Sequence, residues 1–376
     1  MAVELLPDLA EALTENGSFD EARAVIVKSA ALAAELGDQR ATARASLARV
    51  ALGLYTAEAV DTDGGLQTAH AAIDLLGALG ASADVARAWR LVMFIYGTSG
   101  RYDLAADAAT QVADHARRAG DLRLVGLGAM GYAATALHGP TPVQDAIARC
   151  EELVTEVQGD RKAEAIITGV LAVLHAMTGE FEHARGLYRR GREMLTDLGP
   201  SVTAASTSVE WSRVELLAGD PAAAEAGLRA DYVALDALGE RYFRSTVASL
   251  LGQALCEQGR DEDADRFTAL AAELADADDT YVQAAWRSVR ARLQARSGDV
   301  EAALVTAREA VAIAGGTLDI DQHADTLVDL AEVLRLAGDA ESSGPPLREA
   351  LELYERKGDE VSAERVRILL DAVAVP

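Results

Sequence analysis

The chain has 376 residues, half of them hydrophobic but only 5% aromatic, and 60 acidic against 35 basic side chains give a formal net charge of −25. A surface this negative repels phosphate backbones and anionic headgroups, which argues against nucleic-acid or membrane binding through the general surface. Rich in alanine, with eight prolines and no useful run of β-branched alternation, the sequence reads as all-helical.

The opening residues MAVELLPDLAEAL carry no basic segment ahead of an apolar core, so they read as a first helix and not as a secretion signal. No apolar run approaches the length of a bilayer span, and a cytoplasmic location is expected. From there the helices are punctuated by glycine. The first turn glycine is Gly17, and the next, Gly100, follows after 83 residues, two periods with one turn disguised in residues 57–67. The series then continues at Gly139, Gly179, Gly219, Gly259, Gly298 and Gly338 in steps of 39 or 40. A second series interleaves with it, at Gly37, Gly80, Gly120, Gly159, Gly199, Gly239 and Gly358. Two series half a period apart mean two helices per repeat, each closed by a residue able to take positive φ. Asp38, Asp121 and Asp160 directly follow such glycines and are placed to cap the next helix.

Five residues after the turn glycine stand Ala22, Ala105, Ala184, Ala224, Ala264 and Ala303, with Ser343 in the last copy. Seven before it stand Ala10, Ala172, Ser212, Gly252, Ala291 and Ala331, with Met93 the exception. These small positions face each other across a helical hairpin. The expected domain is a single solenoid over residues 1–376, with repeats near 1–38, 39–80, 81–120, 121–159, 160–199, 200–239, 240–279, 280–317 and 318–358. A capping helix fills 359–376.

The copy with Trp89, Tyr96, Gly100, Tyr102 and Ala105 resembles the tetratricopeptide repeat, and Phe19 and Phe181 repeat its aromatic after glycine. The period, near 40 instead of 34, departs from that pattern and is similar to the arms of large bacterial signal-transduction ATPases and transcriptional activators. The segments GPTPVQDAIARCEEL, VELLAGDPAAAEAGLRADYVALDALGER and DLAEVLRLAGD resemble the C-terminal helical-repeat half of actinobacterial adenylate/guanylate cyclase-type proteins. In those, a cyclase module and an AAA-type ATPase module precede the repeats. The resemblance implies a right-handed superhelix acting as a regulatory arm in bacterial signalling.

Motifs for chemistry are scarce. No GxxxxGK[ST] phosphate loop occurs among three lysines, and the six histidines contain no HExxH. Cys150 and Cys256 stand apart in apolar helical stretches and read as buried thiols without disulfide or zinc. Asp276, Asp278 and Asp279 invite comparison with a magnesium patch, and Asp61 and Asp63 with a calcium loop. Ala72 occupies the twelfth position, where a calcium loop needs glutamate. Both read better as loops and caps. Trp89, Trp211 and Trp286 fall in first helices and read as core.

First helices line the inner face of a tetratricopeptide solenoid. Six residues before the turn glycines this places Phe94, Val173, Arg213, Gln253 and Arg292 toward the groove, with Arg87, Arg90 and Ile166 beside them. The expected function is a non-catalytic protein- or peptide-interaction and regulatory module, without cofactor or metal. Arg213 and Arg292 would take a partner's acidic groups and Phe94 an apolar one. The competing reading has these arginines balancing neighbouring carboxylates, and the basic runs 185–192 and 286–296 paired within the molecule. Two further alternatives are a fragment of a multidomain nucleotide cyclase/ATPase or transcriptional regulator whose catalytic modules are absent, and a helical magnesium enzyme using the Asp276 cluster.

Overall fold

A computed structural model describes residues 2–56 and 61–374 of the chain. Nineteen α-helices and no strands occur among the described residues. They pair as α1 (Ala2–Glu15) with α2 (Phe19–Leu36), α3 (Gln39–Tyr55) with α4 (Thr62–Ala78), and α5 (Ser82–Thr98) with α6 (Tyr102–Ala119). Next come α7 (Leu122–His138) with α8 (Val143–Glu156), α9 (Arg161–Met177) with α10 (Phe181–Leu198), and α11 (Ser208–Ala218) with α12 (Pro221–Leu238). The last pairs are α13 (Tyr242–Glu257) with α14 (Asp261–Leu274), α15 (Thr280–Arg296) with α16 (Val300–Gly315), and α17 (Ile320–Leu336) with α18 (Gly344–Lys357); α19 (Glu360–Ala374) follows. The architecture is a right-handed all-α superhelix of nine hairpins and a closing helix.

The glycine and alanine rules explain the hairpins. Gly37, Gly120, Gly219 and Gly239 end helices in the left-handed region and return their N–H groups to carbonyls of the last turn. The carboxylates of Asp38, Asp121 and Asp160 accept the N–H of Ala41, Leu124 and Ala163 at 3.0–3.1 Å. Both small-residue positions are sealed: Ala22, Ala184, Ala224, Ala10, Ala172 and Ser212 are all 0% exposed. Met93, the exception, is accommodated by Gly131 on α7, where any Cβ would lie 2.1 Å from the Met93 sulfur.

Two turns depart from the sequence reading. The disguised turn of the sequence falls between α3 and α4, where residues 57–60 lie outside the described residues. Asp61 caps α4 by accepting the N–H of Asp63 at 3.0 Å, so Gly64 and Gly65 are helical instead of marking the turn. Gly139 is extended, with φ −81° and ψ −173°, because the two prolines of GPTP stiffen the connection to α8.

The superhelix is wound tightly enough for its second turn to rest on its first. Backbone N–H groups of Val202, Arg241 and Leu318 donate to the carbonyls of Glu15, Tyr55 and Gly100 at 3.0–3.1 Å. Lys357 reaches carbonyls 218 to 221 residues away, between five and six repeats along the chain. This seam predicts unequal costs for equivalent glycines. Gly100 and Gly120 share φ +69°, but a Cβ at Gly100 would lie 2.6 Å from Thr317, whereas none is hindered at Gly120. In urea titrations Gly120→Ala is expected to cost about 1 kcal/mol and Gly100→Ala about 1–3 kcal/mol more. Equal costs would mean the turns do not touch there.

A candidate binding chamber in the concave face

A cavity of about 330 Å³ opens on the inner face of the first superhelical turn. Its walls come from first helices α1, α3, α5, α7 and α9; the segment after α10 (Val202 and Thr203) and Phe243 of α13 close it from the second turn. The body is apolar, with Leu54, Tyr55, Leu91, Phe94, Met130 and Phe243 among its lining. Tyr55 sits at the centre of the rings, 5.8 Å from Phe94 and 6.4 Å from Phe243 between centroids. Burial pushes its phenol up to about 12, so it is neutral.

The rim is ionic, and its sign runs against the rest of the molecule. Arg44, Arg87, Arg90 and Lys162 line the chamber against only Glu11 and Glu15, in a chain of net charge −25. Arg90 lies 3.3 Å from Glu11 and 3.4 Å from Glu15, Lys162 lies 3.2 Å from Glu15, and Arg123 reaches Glu11 at 3.5 Å. These bridges cross the groove from α1 to α5, α7 and α9. Burial pushes the Glu11 carboxyl up, but Arg90, Arg123 and Arg87 together outweigh it and hold the group below its usual range. Behind the rim, Asp84 is 1% exposed and anchors three guanidinium groups, Arg40 at 2.5 Å, Arg44 at 3.1 Å and Arg87 at 3.4 Å.

Three residues singled out from the sequence, Arg87, Arg90 and Phe94, thus meet at the chamber, with Ile166 beside them. The other three lie elsewhere. Gln253 is half-buried on α13. Arg292 is 5% exposed and engages Glu257 at 2.7 Å, Glu332 at 2.8 Å and Asp329 at 3.5 Å. Arg213 points at the seam, its Nη1 lying 3.3 Å from His138 Nδ1, beside Tyr281, Asp319, Asp321 and Asp325. Val173 is buried in the core. The groove is therefore polarised, cationic near α1–α9 and acidic around α17.

The basic run 286–296 is paired internally, as Arg287 with Glu309 and Arg296 with Asp261 and Glu332. In the run 185–192 Arg185 pairs with Glu215 and Glu182, while Arg189 and Arg192 bond to the Arg185 carbonyl and the Tyr188 hydroxyl. Both cysteines are buried, and burial pushes the Cys150 thiol up to about 12 and Cys256 to about 11, which leaves them unreactive. Asp279 caps α15 by accepting the N–H of Val282 at 3.2 Å. Among the described residues, no group of three or more His, Cys, Asp or Glu side chains has a metal-holding arrangement, and no helix is long and apolar enough to cross a membrane. Sequence reading missed Arg44, Lys162, Asp84 and Phe243. Only Lys162 carried a signal, as one of three lysines in the chain.

This hairpin geometry, with first helices inside and a chamber on the concave face, is that of a tetratricopeptide-like solenoid. No protein-family model matches the chain, and no curated protein sequence matches it. Its fold is similar to the solved structure of a Rap protein complexed with competence and sporulation factor, at TM-score 0.61 and 12% identity over 99% of both chains. It is also similar to a chain of the Cut9–Hcn1 hetero-tetramer of the APC/C, at TM-score 0.61 and 14% identity, covering 99% of this chain and 69% of that one.

Proposed function

We propose that the protein is a non-catalytic receptor for a segment of peptide or partner protein, which it holds by the chamber of its first superhelical turn. The observation that carries this reading is the apolar, aromatic-lined cavity with four cations against two carboxylates at its rim, in a strongly acidic chain. An apolar side chain of the partner packs against Phe94, Leu91 and Met130. An acidic group beside it exchanges into the long ion pairs of Arg87, Arg90 and Lys162. The Rap likeness supports the reading only through the fold. By its resemblance to cyclase/ATPase arms, the module serves bacterial signal transduction in the cytoplasm, either alone or joined to catalytic modules. Capture would be transmitted as a change of superhelical curvature, which the seam between the two turns would register.

Panning a random peptide library on the full chain tests this. Enriched peptides should pair an apolar with an acidic residue, and Phe94→Glu should abolish their retention. That loss is on the order of a hundredfold, the cost of burying an unpaired charge among apolar walls. Equal enrichment on the variant would contradict the assignment.

A further inference from the structure

The seam repeats one feature at the spacing of the hairpins. Glu240, Asp279 and Asp319 stand just before the first helices α13, α15 and α17 of the second superhelical turn, and Asp359 just before the closing helix α19. Each is nearly sealed, at 0%, 5%, 3% and 3% exposure. Their counterparts in the first turn, Asp38, Asp121 and Asp160, are only half-buried. The difference is the first turn itself, which lies over the second-turn set. The N–H next to Glu240, that of Arg241, donates to Tyr55, and the Thr280 hydroxyl next to Asp279 donates to the Thr98 carbonyl at 3.3 Å.

The surroundings of two of these carboxyls are short of cations. Glu240 accepts the N–H groups of Phe243 and Arg244 at 3.1 and 3.0 Å. The Arg244 side chain faces it from its own helix but is shared with Asp236. From across the seam it faces Tyr55, around which Arg90, Glu15 and Glu11 also gather. Asp279 faces Asp276 on its own loop, the phenol of Tyr281 on α15, that of Tyr242 on α13, and that of Tyr102 on α6 of the first turn. Asp319 differs, since His138 Nδ1 lies 3.3 Å from it. Asp359 shares its region with Asp321, Lys357, Arg213 and Arg365.

We propose that Glu240 and Asp279 form a proton-sensitive latch: neutral, they let the second superhelical turn dock on the first and seal the chamber with Phe243; ionised, they release the seam and open it. The inference rests on the chamber being the binding site. Opening reaches the chamber because Glu240 fixes the N–H of Phe243, a chamber wall, and because Tyr55 is shared between seam and chamber.

Burial raises both carboxyls to about 7. An acid whose docked-state value is raised stabilises docking fully below the ordinary carboxylate range. That stabilisation is lost as pH climbs from there through about 7. His138 acts in the opposite sense, because its burial lowers its value and makes its protonation below the usual imidazole range unfavourable to docking. The latch therefore loosens as pH climbs from the ordinary carboxylate range through about 7, with His138 offsetting part of the tightening at the acid end.

The test is amide hydrogen exchange on the full chain at pH 6 and 8.5, corrected for intrinsic rate, at the cross-seam donors Arg241 and Leu318. Uptake of 8-anilinonaphthalene-1-sulfonate, an apolar anion suited to the chamber, is followed in parallel. Linkage predicts protection falling roughly tenfold for each carboxyl over that interval, with dye uptake rising and amides within α9 unchanged. Glu240→Gln with Asp279→Asn removes both charges and leaves each side chain one carbonyl oxygen to accept an N–H. The fall in protection and the rise in dye uptake between pH 6 and 8.5 should then shrink by the share of these two carboxyls. Protection in the wild type that is independent of pH, the same slope in the variant, or exchange that changes without dye uptake would each overturn the latch. Failure of peptide panning with the pH response intact would instead count against the chamber's proposed occupant.

Discussion

Lys357→Met should destabilise the chain by about 3–5 kcal/mol, the range for removing one partner of a buried charge pair. The side chain is 0% exposed and sits in the last turn of α18, yet it donates to the carbonyls of Leu137 and Gly139 at 2.6 Å and of Ala136 at 3.0 Å. Three carbonyl acceptors require three N–H donors, which only the ammonium form supplies. These carbonyls close α7, where the helix dipole favours a cation. Methionine keeps the volume but strands the carbonyls, each at a cost of about 1–3 kcal/mol if none relaxes. It also removes the cation facing Asp321, whose two buried oxygens have no hydrogen-bond partner among the described residues. Urea unfolding followed by circular dichroism reads the loss. A change under 1 kcal/mol would mean the two superhelical turns are not fastened there.

Asp84→Ala is the second large effect, and it couples stability to binding. The carboxylate holds Arg40, Arg44 and Arg87 together, and Arg44 is itself 7% exposed. Without Asp84 that guanidinium keeps Asp8 and the Glu4 carbonyl among the described residues, so about 3 kcal/mol of stability is expected to go. Arg44 and Arg87 would also lose their aim at the chamber. Retention of the enriched peptides should then fall at least tenfold under conditions where circular dichroism shows the variant still folded. A variant that is destabilised but binds as before would restrict Asp84 to holding the fold.

The hairpins were legible because their causes are local. A glycine that must take positive φ and an alanine that must let two helices approach are written at each copy, and neither depends on distant chain. Gly139 escaped the rule because prolines on either side of Thr141 set the backbone instead. The connection between α3 and α4 escaped it because residues 56–61 hold no glycine, and Asp61 opens α4 as its cap. The seam was invisible for a different reason. Asp160 and Asp279 are both helix N-caps, and only the winding that brings the first superhelical turn against Asp279 buries one and leaves the other half-exposed.

The chamber falls between these cases. Repeat register aims Phe94 and Arg213 alike at the groove, and α5 and its neighbours do bring Phe94 to Arg87 and Arg90. Arg213 and Arg292, in the same register, meet carboxylates from α17, because acidic residues there lie a repeat or more away in sequence but adjacent in the lumen. Phe243 joins the chamber from the next superhelical turn, which no periodicity of 40 residues foretells.

The most direct measurement is a hydrogen-exchange footprint of the full chain with and without the peptides enriched by panning. A receptor that binds through its chamber predicts new protection in α3, α5 and α7 and at the start of α13, with α10 and α14 unchanged. Protection appearing instead around Arg292 on α15, or along the arginines of α10, would contradict it.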